Sequence, residues 1–553
     1  MISRILNQTK SIVSILMLTM ILFSSCTDNF VDYNRNTGEP TDEEMDPYLT
    51  VVIFSQMIDN VYSMQENSYQ MNENLIGDPY GRHLSITNKG FTTPFSTFNA
   101  NSSWLNYPFD DVFTKFYGPW YKLLKLEGEY QDALLQWASI LRVATMHRLA
   151  DMYGPIPYSQ IGKGINTPYD SVEDLYKNML TDLDNSIEYL TKFVKENPDV
   201  KLVFDPEKAD VVYKADFKKW IAFANSLKLR LAMRVVYAAP DLAKTKAEEA
   251  VKHEFGVITS NDDIPKYVFS AGPNGVYQVS SSWGDSKPAA DIVSYMKGYE
   301  DPRLPFYFSK AELLDKDSIP YPGIDYLGIR TGIILDEKPK MMTYSGDMHK
   351  ANSPSIWMTA AEVAFLRSEG ALRGWSMGGI AKDLYEEGVR LSFNQWGAGG
   401  VDEYLQDDKK IQANYVNPHL TENPNYKEGS SEPKFIDTSI DAVSKITIKW
   451  NDAADFEENL ERIITQKWIA IYPLGTEAWS EHRRTGYPRF FPVMVNSSDE
   501  PELTTKLASR IPFAPNEKQN NQENYEDAVK KLGGPDKYGT RLWWDKKPNK
   551  PNW

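Results

Sequence analysis

One cysteine in 553 residues is the feature that most constrains how this chain can fold. Cys26 has no partner within the chain, so no disulfide can close a loop or hold a small core. Stability must come from burying apolar surface. The composition allows it. Hydrophobic residues are 41% and charged residues 25%, the balance of an ordinary globular protein. Length alone permits two to four domains.

The place of that cysteine is informative. Arg4 and Lys10 precede the apolar run Ile12 to Phe23, and Ser24-Ser25-Cys26 follow. A basic start, a short apolar stretch and small residues describe a secretory signal peptide. The run falls short of the roughly 20 residues that span a bilayer, and no later run is long enough. Ser24-Ser25-Cys26 resembles a bacterial lipobox, in which cleavage leaves Cys26 as a lipid-modified N-terminus. Phe23 stands where Leu is usual, and the alternative is a plain signal peptide with an incidental cysteine. An exported chain has the option of disulfides, so a single retained thiol points to a job other than cross-linking. Residues 1–25 are therefore expected to be a signal peptide and 26–46 a polar tether, with Asn34, Asn36, Gly38, Pro40 and Asp42-Glu43-Glu44. Residues 47–553 are expected to form a single folded domain.

Several stretches keep helical spacing. Ala133, Leu134, Trp137, Leu141, Ala144 and Leu149 share a face, stopped by Gly154-Pro155-Ile156-Pro157. Ser171 with Glu173-Asp174 predicts an N-cap and acidic first turn before Leu175, Met179, Leu183, Ile187 and Leu190. Asp216 caps the next helix, and Asp241 opens another that ends with Gly256 in the C′ position. Thr359–Arg373, Ala381–Phe393 and Glu457–Ile471 complete the set. Helix pairs at 34–40-residue spacing predict a mainly α, tetratricopeptide-like repeat scaffold. Long irregular insertions interrupt it at 75–118, 259–355 and 396–450, and binding loops are sought there.

The net charge of −16, from 60 basic and 76 acidic residues, disfavours nucleic acid as a partner, because phosphate backbones need a basic face. Catalytic signatures are missing. The six histidines are scattered with no HExxH, and there is no GxSxG elbow or Walker A loop. One cysteine excludes thiolate metal sites, and no metal or cofactor is called for. Asp110-Asp111 and Asp262-Asp263 offer carboxylates to a glycosidase, but adjacent acids are commonly solvated turn residues. The chain reads as a binding protein, not an enzyme.

Aromatic residues are 13%, with 14 Trp and 32 Tyr. Most must pack the core. Three tryptophans sit instead in small, polar, amide-rich surroundings: Trp104, Trp283 with Asp285 beside it, and Trp396. A flat ring stacks on the C–H face of a pyranose while amides and carboxylates bond its hydroxyls. The bland reading is that each tryptophan anchors its own loop. Tyr80 and His83, in Gly77-Asp78-Pro79-Tyr80-Gly81-Arg82-His83, are further candidates.

At this point the chain resembles a known family. The carriers are the lipobox-like Ser24-Ser25-Cys26, Arg148 to Tyr158, Ala224 to Arg234, Met358 to Leu366, Gln466-Lys467-Trp468, Glu477 to Pro488 and Arg510-Ile511-Pro512. Together they are similar to the SusD/RagB nutrient-binding outer-membrane lipoproteins of Bacteroidetes. The resemblance covers nearly all of the chain after the tether. It implies a lipid-anchored surface protein that binds oligosaccharides or peptides without cleaving them. It also implies a partner, a SusC-like TonB-dependent transporter over which the protein sits as a hinged lid. The motifs themselves read as scaffold: Arg483 and Arg484 near Glu477 and Glu481 are expected to form buried ion pairs. The ligand site is not carried by the resemblance. Glycan capture is the leading reading; a peptide-binding member of the family and a surface glycosidase are the alternatives.

Overall fold

In a computed structural model of the chain, the described residues are 42–126, 130–164, 166–202, 204–313, 324–418, 421–423, 425–429 and 434–551. The expected signal peptide, Cys26 and most of the expected tether lie outside them. By internal packing the chain divides into Met1–Thr50 and Val51–Trp553. Apart from the first turns of α1, the elements and side chains described below belong to the second unit.

The helices of nine or more residues are α1 (Asp42–Val61), α2 (Ser102–Leu123), α3 (Gln131–Tyr153), α4 (Val172–Glu196), α5 (Phe217–Arg234), α6 (Pro240–Lys252), α7 (Ala290–Gly298), α8 (Ala360–Leu372), α9 (Ala381–Trp396), α10 (Phe456–Ala470), α11 (Gly475–Thr485) and α12 (Gln522–Leu532). Their starts follow local chemistry. Ser171 Oγ accepts from Asp174 N at 3.1 Å, Asp216 Oδ1 from Lys218 N at 3.0 Å and Thr359 Oγ1 from Glu362 N at 2.9 Å. Each cap satisfies an amide that the first turn leaves without a partner. Helix α3 stops at Gly154, whose φ of +93° suits glycine.

The helices pack in succession: α3 on α4, α4 on α5, α5 on α6, α5 on α8, and α8 on α9 and α10. This is the expected helical-repeat scaffold. Among the described residues four short strands accompany it: β1 (Leu84–Ile86), β2 (Lys266–Tyr267), β3 (Ser286–Pro288) and β4 (Ser355–Ile356). β1 and β3 pair antiparallel with Ser85 opposite Lys287, and β2 and β4 with Tyr267 opposite Ser355. The first pair fastens the first insertion to the second across about 200 residues, and the second pair ties the two ends of the second insertion together across about 90. Among the described residues no helix is long and apolar enough to cross a membrane.

Two expectations are corrected. Residues 102–118 are not irregular but belong to the 22-residue α2, despite Pro108 and Pro119 inside it. Prolines read as breakers in a sequence, but buried Leu105, Phe109, Phe116 and Tyr117 hold α2 against α3. Helix α6 ends at Lys252, before Gly256, because His253 turns to extended backbone with ψ of 145°.

The core is aromatic and ionic at once. Trp137 stacks on Phe54 with centroids 3.7 Å apart and lies 5.7 Å from Trp220. Beside it runs a buried charge network. Arg234 reaches Glu481 at 2.6 Å and Glu477 at 2.5 Å. Arg230 holds Glu362 at 2.7 Å. Arg484 is bidentate on Glu369, at 2.7 and 2.6 Å, and also holds Glu481 at 2.6 Å. Lys467 lies 3.2 Å from Glu481. One network thus joins α5, α8, α10 and α11. Burial pushes Glu481 up, but Arg484, Lys467 and Arg234 together hold it well below the usual carboxylate range. Arg484 therefore behaves as expected, whereas Arg483 does not. Its Nη1 donates to the carbonyls of Asp151 (2.6 Å) and Ser509 (2.8 Å), and its guanidinium stacks 3.6 Å from the Trp479 ring centroid.

Replacing Arg484 by Met leaves two buried carboxylates without their main partner, and the expected loss is roughly 3–5 kcal/mol. Adding Glu369→Gln should recover part of it. Urea midpoints of the single and double variants check this; a single variant as stable as the parent would show that the network is not under tension from burial.

Candidate functional site

The loops that carry the expected tryptophans are fastened by one side chain. Asp285 follows Gly284, whose φ is +65°, and is 9% exposed. Its Oδ1 accepts from Asn88 Nδ2 at 3.0 Å and Lys338 Nζ at 2.8 Å, and its Oδ2 from Gln70 Nε2 at 3.1 Å. Its backbone carbonyl accepts from Thr87 N at 3.0 Å. Four segments distant in sequence meet there. Asp285 is therefore occupied in holding the site, not free to meet a hydroxyl.

Trp283 sits on that knot. Its amide donates to Gln278 O at 2.8 Å, closing a single wide turn, and its carbonyl accepts from Lys338 Nζ at 2.8 Å. The indole is half-buried. With its backbone tied at both ends, the ring is presented in a fixed place, which lowers the ordering that binding would require.

Trp104 lies in the first turn of α2, where its amide donates to the Asn101 cap at 3.1 Å. Its ring meets Phe91 edge-on at 5.3 Å and Phe95 at 6.0 Å, and it is half-buried. Exposed Asn101, Ser102 and Ser103 surround it. The segment 87–95 links the two tryptophans: Asn88 holds Asp285 at one end, and Phe91 and Phe95 support Trp104 at the other. Asn88, Phe91, Gln70 and Lys338 were not singled out from the sequence. A lone amide or lysine in a polar loop has no periodic signal; Phe91, in Gly90-Phe91-Thr92, resembles the tryptophan settings and was the one within reach.

Trp396 belongs elsewhere. It ends α9, lies 4.3 Å from Tyr307 and 6.0 Å from His349, and walls a cavity of about 180 Å³. Tyr80 and His83 are core residues, and the reading of them as ligand contacts is corrected. Tyr80 is 2% exposed, donates to Phe95 O at 2.7 Å and packs 4.8 Å from Trp479. His83 is fully buried, with Nε2 3.0 Å from Trp468 O, and burial pushes its pKa down to about 3. The cause is close packing of Gly77 against α11: a Cβ there would lie 2.4 Å from Thr476 Oγ1, so the motif is drawn inside. The acidic pairs are engaged as well. Asp111 pairs with Lys115 at 2.7 Å and Asp263 with Lys219 at 3.2 Å.

This fold has close relatives of known structure. A family model described as "Susd and RagB outer membrane lipoprotein" matches residues 32–545. A SusD homologue from Bacteroides uniformis is 39% identical, covers 90% of this chain and 100% of its own, and superposes with a TM-score of 0.79. A chitin-binding SusD homologue from Flavobacterium johnsoniae is 38% identical over 91% of this chain and 99% of its own, with a TM-score of 0.81. A Bacteroides ovatus homologue is 35% identical over 90% and 99%, again at 0.81. No curated protein matches the chain. The chain belongs to the SusD-like family, whose members are outer-membrane lipoproteins and binding proteins.

The buried His83 carries a pH signature. Between pH 6.5 and about 3 the unfolded chain binds a proton there that the folded chain does not, so stability falls with pH across that window. The parent should lose roughly 1 kcal/mol per pH unit below 6.5 relative to His83→Gln. Urea midpoints at pH 7.5, 6 and 5 measure it; parallel trends in the two proteins would mean the imidazole is not held neutral.

Proposed function

We propose that this protein captures oligosaccharide at the cell surface on a platform built around Trp283 and Trp104, and delivers it to a SusC-like TonB-dependent transporter. In this reading Cys26 carries lipid that anchors the mature chain in the outer membrane, facing outward, and 27–46 tether the fold to it. The observation that carries the proposal is the Asp285 knot. Three donors from distant segments hold the Trp283 loop, which is more fastening than a half-buried ring needs for its own packing. The family supports surface glycan binding, and the chitin-binding relative makes N-acetylglucosamine oligomers the first glycans to test. The protein binds without cleaving.

The chain lacking residues 1–26 should be retarded in native gels containing a matching polysaccharide, with no release of reducing ends. Trp283→Ala should weaken binding about tenfold or more, a change of about 1.4 kcal/mol, and Trp104→Ala by less. Unchanged retardation in the Trp104, Trp283 and Trp396 triple alanine variant would discard the platform. Retardation absent for every glycan, with calorimetric binding of oligopeptides, would move the protein to the peptide-binding class. Release of reducing ends would make it a glycosidase.

The anchor has its own test. Cys26→Ser should abolish metabolic labelling with a fatty-acid analogue and move the protein from the outer-membrane to the soluble fraction. Labelling that persists in the variant would remove Cys26 from the proposal.

A further inference from the structure

The cavity beside Trp396 is lined by neither Trp283 nor Asp285 and has unmet hydrogen-bonding capacity of its own. It lies where α9 ends, between the segments 274–276, 349–359 and 471–474. At about 180 Å³ it holds roughly six waters, at about 30 Å³ each, and is smaller than the roughly 300 Å³ or more of pockets that take whole drug-sized ligands. It suits one small group of a ligand whose remainder stays outside. Trp396, Tyr62 and Tyr472 supply aromatic walls, and Met64, Val276 and Ile471 supply apolar ones.

Three buried polar atoms on lining side chains have no hydrogen-bond partner among the described residues: Ser355 Oγ, Gln395 Oε1 and Trp396 Nε1. Ser355 is only 6% exposed. An orphaned atom in a site of this kind is satisfied by water or by a ligand. The Trp396 N–H only donates, the Gln395 oxygen only accepts, and the Ser355 hydroxyl can do either. His349, also lining the cavity, is held by Asp347: Nδ1 lies 2.8 Å from Oδ1 and the backbone amide donates to Oδ2 at 2.9 Å. Tyr472 donates to the same carboxylate. Burial opposes the charge on His349, but Asp347 outweighs it and holds the imidazole protonated above its usual range. His349 and Asp347 are thus engaged with each other. Exposed Pro354 and half-buried Trp396 stand at its edge, so it can be reached from solvent.

We propose that this cavity is a binding site for a secondary amide, the acetamido group of an N-acetylated sugar. Ser355 Oγ–H donates to the amide carbonyl, Gln395 Oε1 accepts from the amide N–H, and the methyl group rests among the apolar walls. A sugar hydroxyl in place of the acetamido group leaves that apolar surface uncovered. The proposal rests on the glycan reading only for the source of the amide.

The test is calorimetric titration of the chain lacking residues 1–26 with N-acetylglucosamine, with glucose and with an acetylated dipeptide, together with crystals soaked in N-acetylglucosamine. N-acetylglucosamine is expected to bind at least tenfold more tightly than glucose. Ser355→Ala and Gln395→Leu should each reduce that preference fivefold or more, and soaked crystals should show the acetamido group in the cavity. Trp283→Ala should leave the preference intact while weakening retardation in polysaccharide gels, so the two sites fail separately. Equal affinity for the two sugars, a preference unchanged in both variants, or soaked crystals with water alone in the cavity would overturn the proposal. Tighter binding of the acetylated dipeptide than of N-acetylglucosamine would overturn the sugar assignment.

Discussion

The structure depends on a charge network placed where water is excluded. Arg230, Arg234, Lys467 and Arg484 face Glu362, Glu369, Glu477 and Glu481 across four helices, and all eight are less than a tenth exposed. Taking such groups from water is expensive, and it is tolerated only when every charge finds a partner. The bidentate Arg484–Glu369 and Arg230–Glu362 pairs meet that demand with fixed geometry. Because each member is useful only with the others in place, the network ties the register of α5, α8, α10 and α11 to a single arrangement.

That arrangement sets the insertions. Helix α11 begins at Gly475, which approaches the 77–81 segment so closely that a Cβ would meet Asp78 N at 2.4 Å. The approach buries Tyr80 and His83 and directs the chain into β1, which pairs with β3 next to Asp285. A rigid helical core thus ends in loops whose polar side chains bond one another instead of water. The same logic distinguishes Trp283, on the Asp285 knot, from Trp396, which packs on Tyr307 and walls a small cavity with Tyr472.

How much of this was legible depends on the range of the interaction involved. Helices α3, α4, α5, α8, α9 and α10 show in the sequence because their apolar faces repeat every turn, and in α4, α5, α8 and α10 the caps also lie within three residues of the amides they serve. Helix α2 did not show, because its prolines argue locally for a break while the contacts that override them come from α3. The Arg484 ion pair was foreseen with Glu481, three residues away, but not with Glu369, 115 residues away. Trp283 and Trp104 were legible as half-polar aromatics; Lys338, Asn88 and Gln70 beside them were not, since nothing local marks a residue whose partner lies more than fifty positions off.

By itself, then, the sequence determined the helical scaffold, the family and the aromatic character of the loops, all properties carried by short-range periodicity or by contiguous motifs. Tertiary structure alone decided which aromatics are available. Tyr80, Trp104, Trp283 and Trp396 all sit near glycines, amides and small polar residues, and nothing in that local chemistry ranks them. The close glycine contact with α11 buries Tyr80, whereas the Asp285 hydrogen bonds hold Trp283 half in solvent. Exposure is set by what the rest of the chain brings against a residue, and that depends on how distant segments pack.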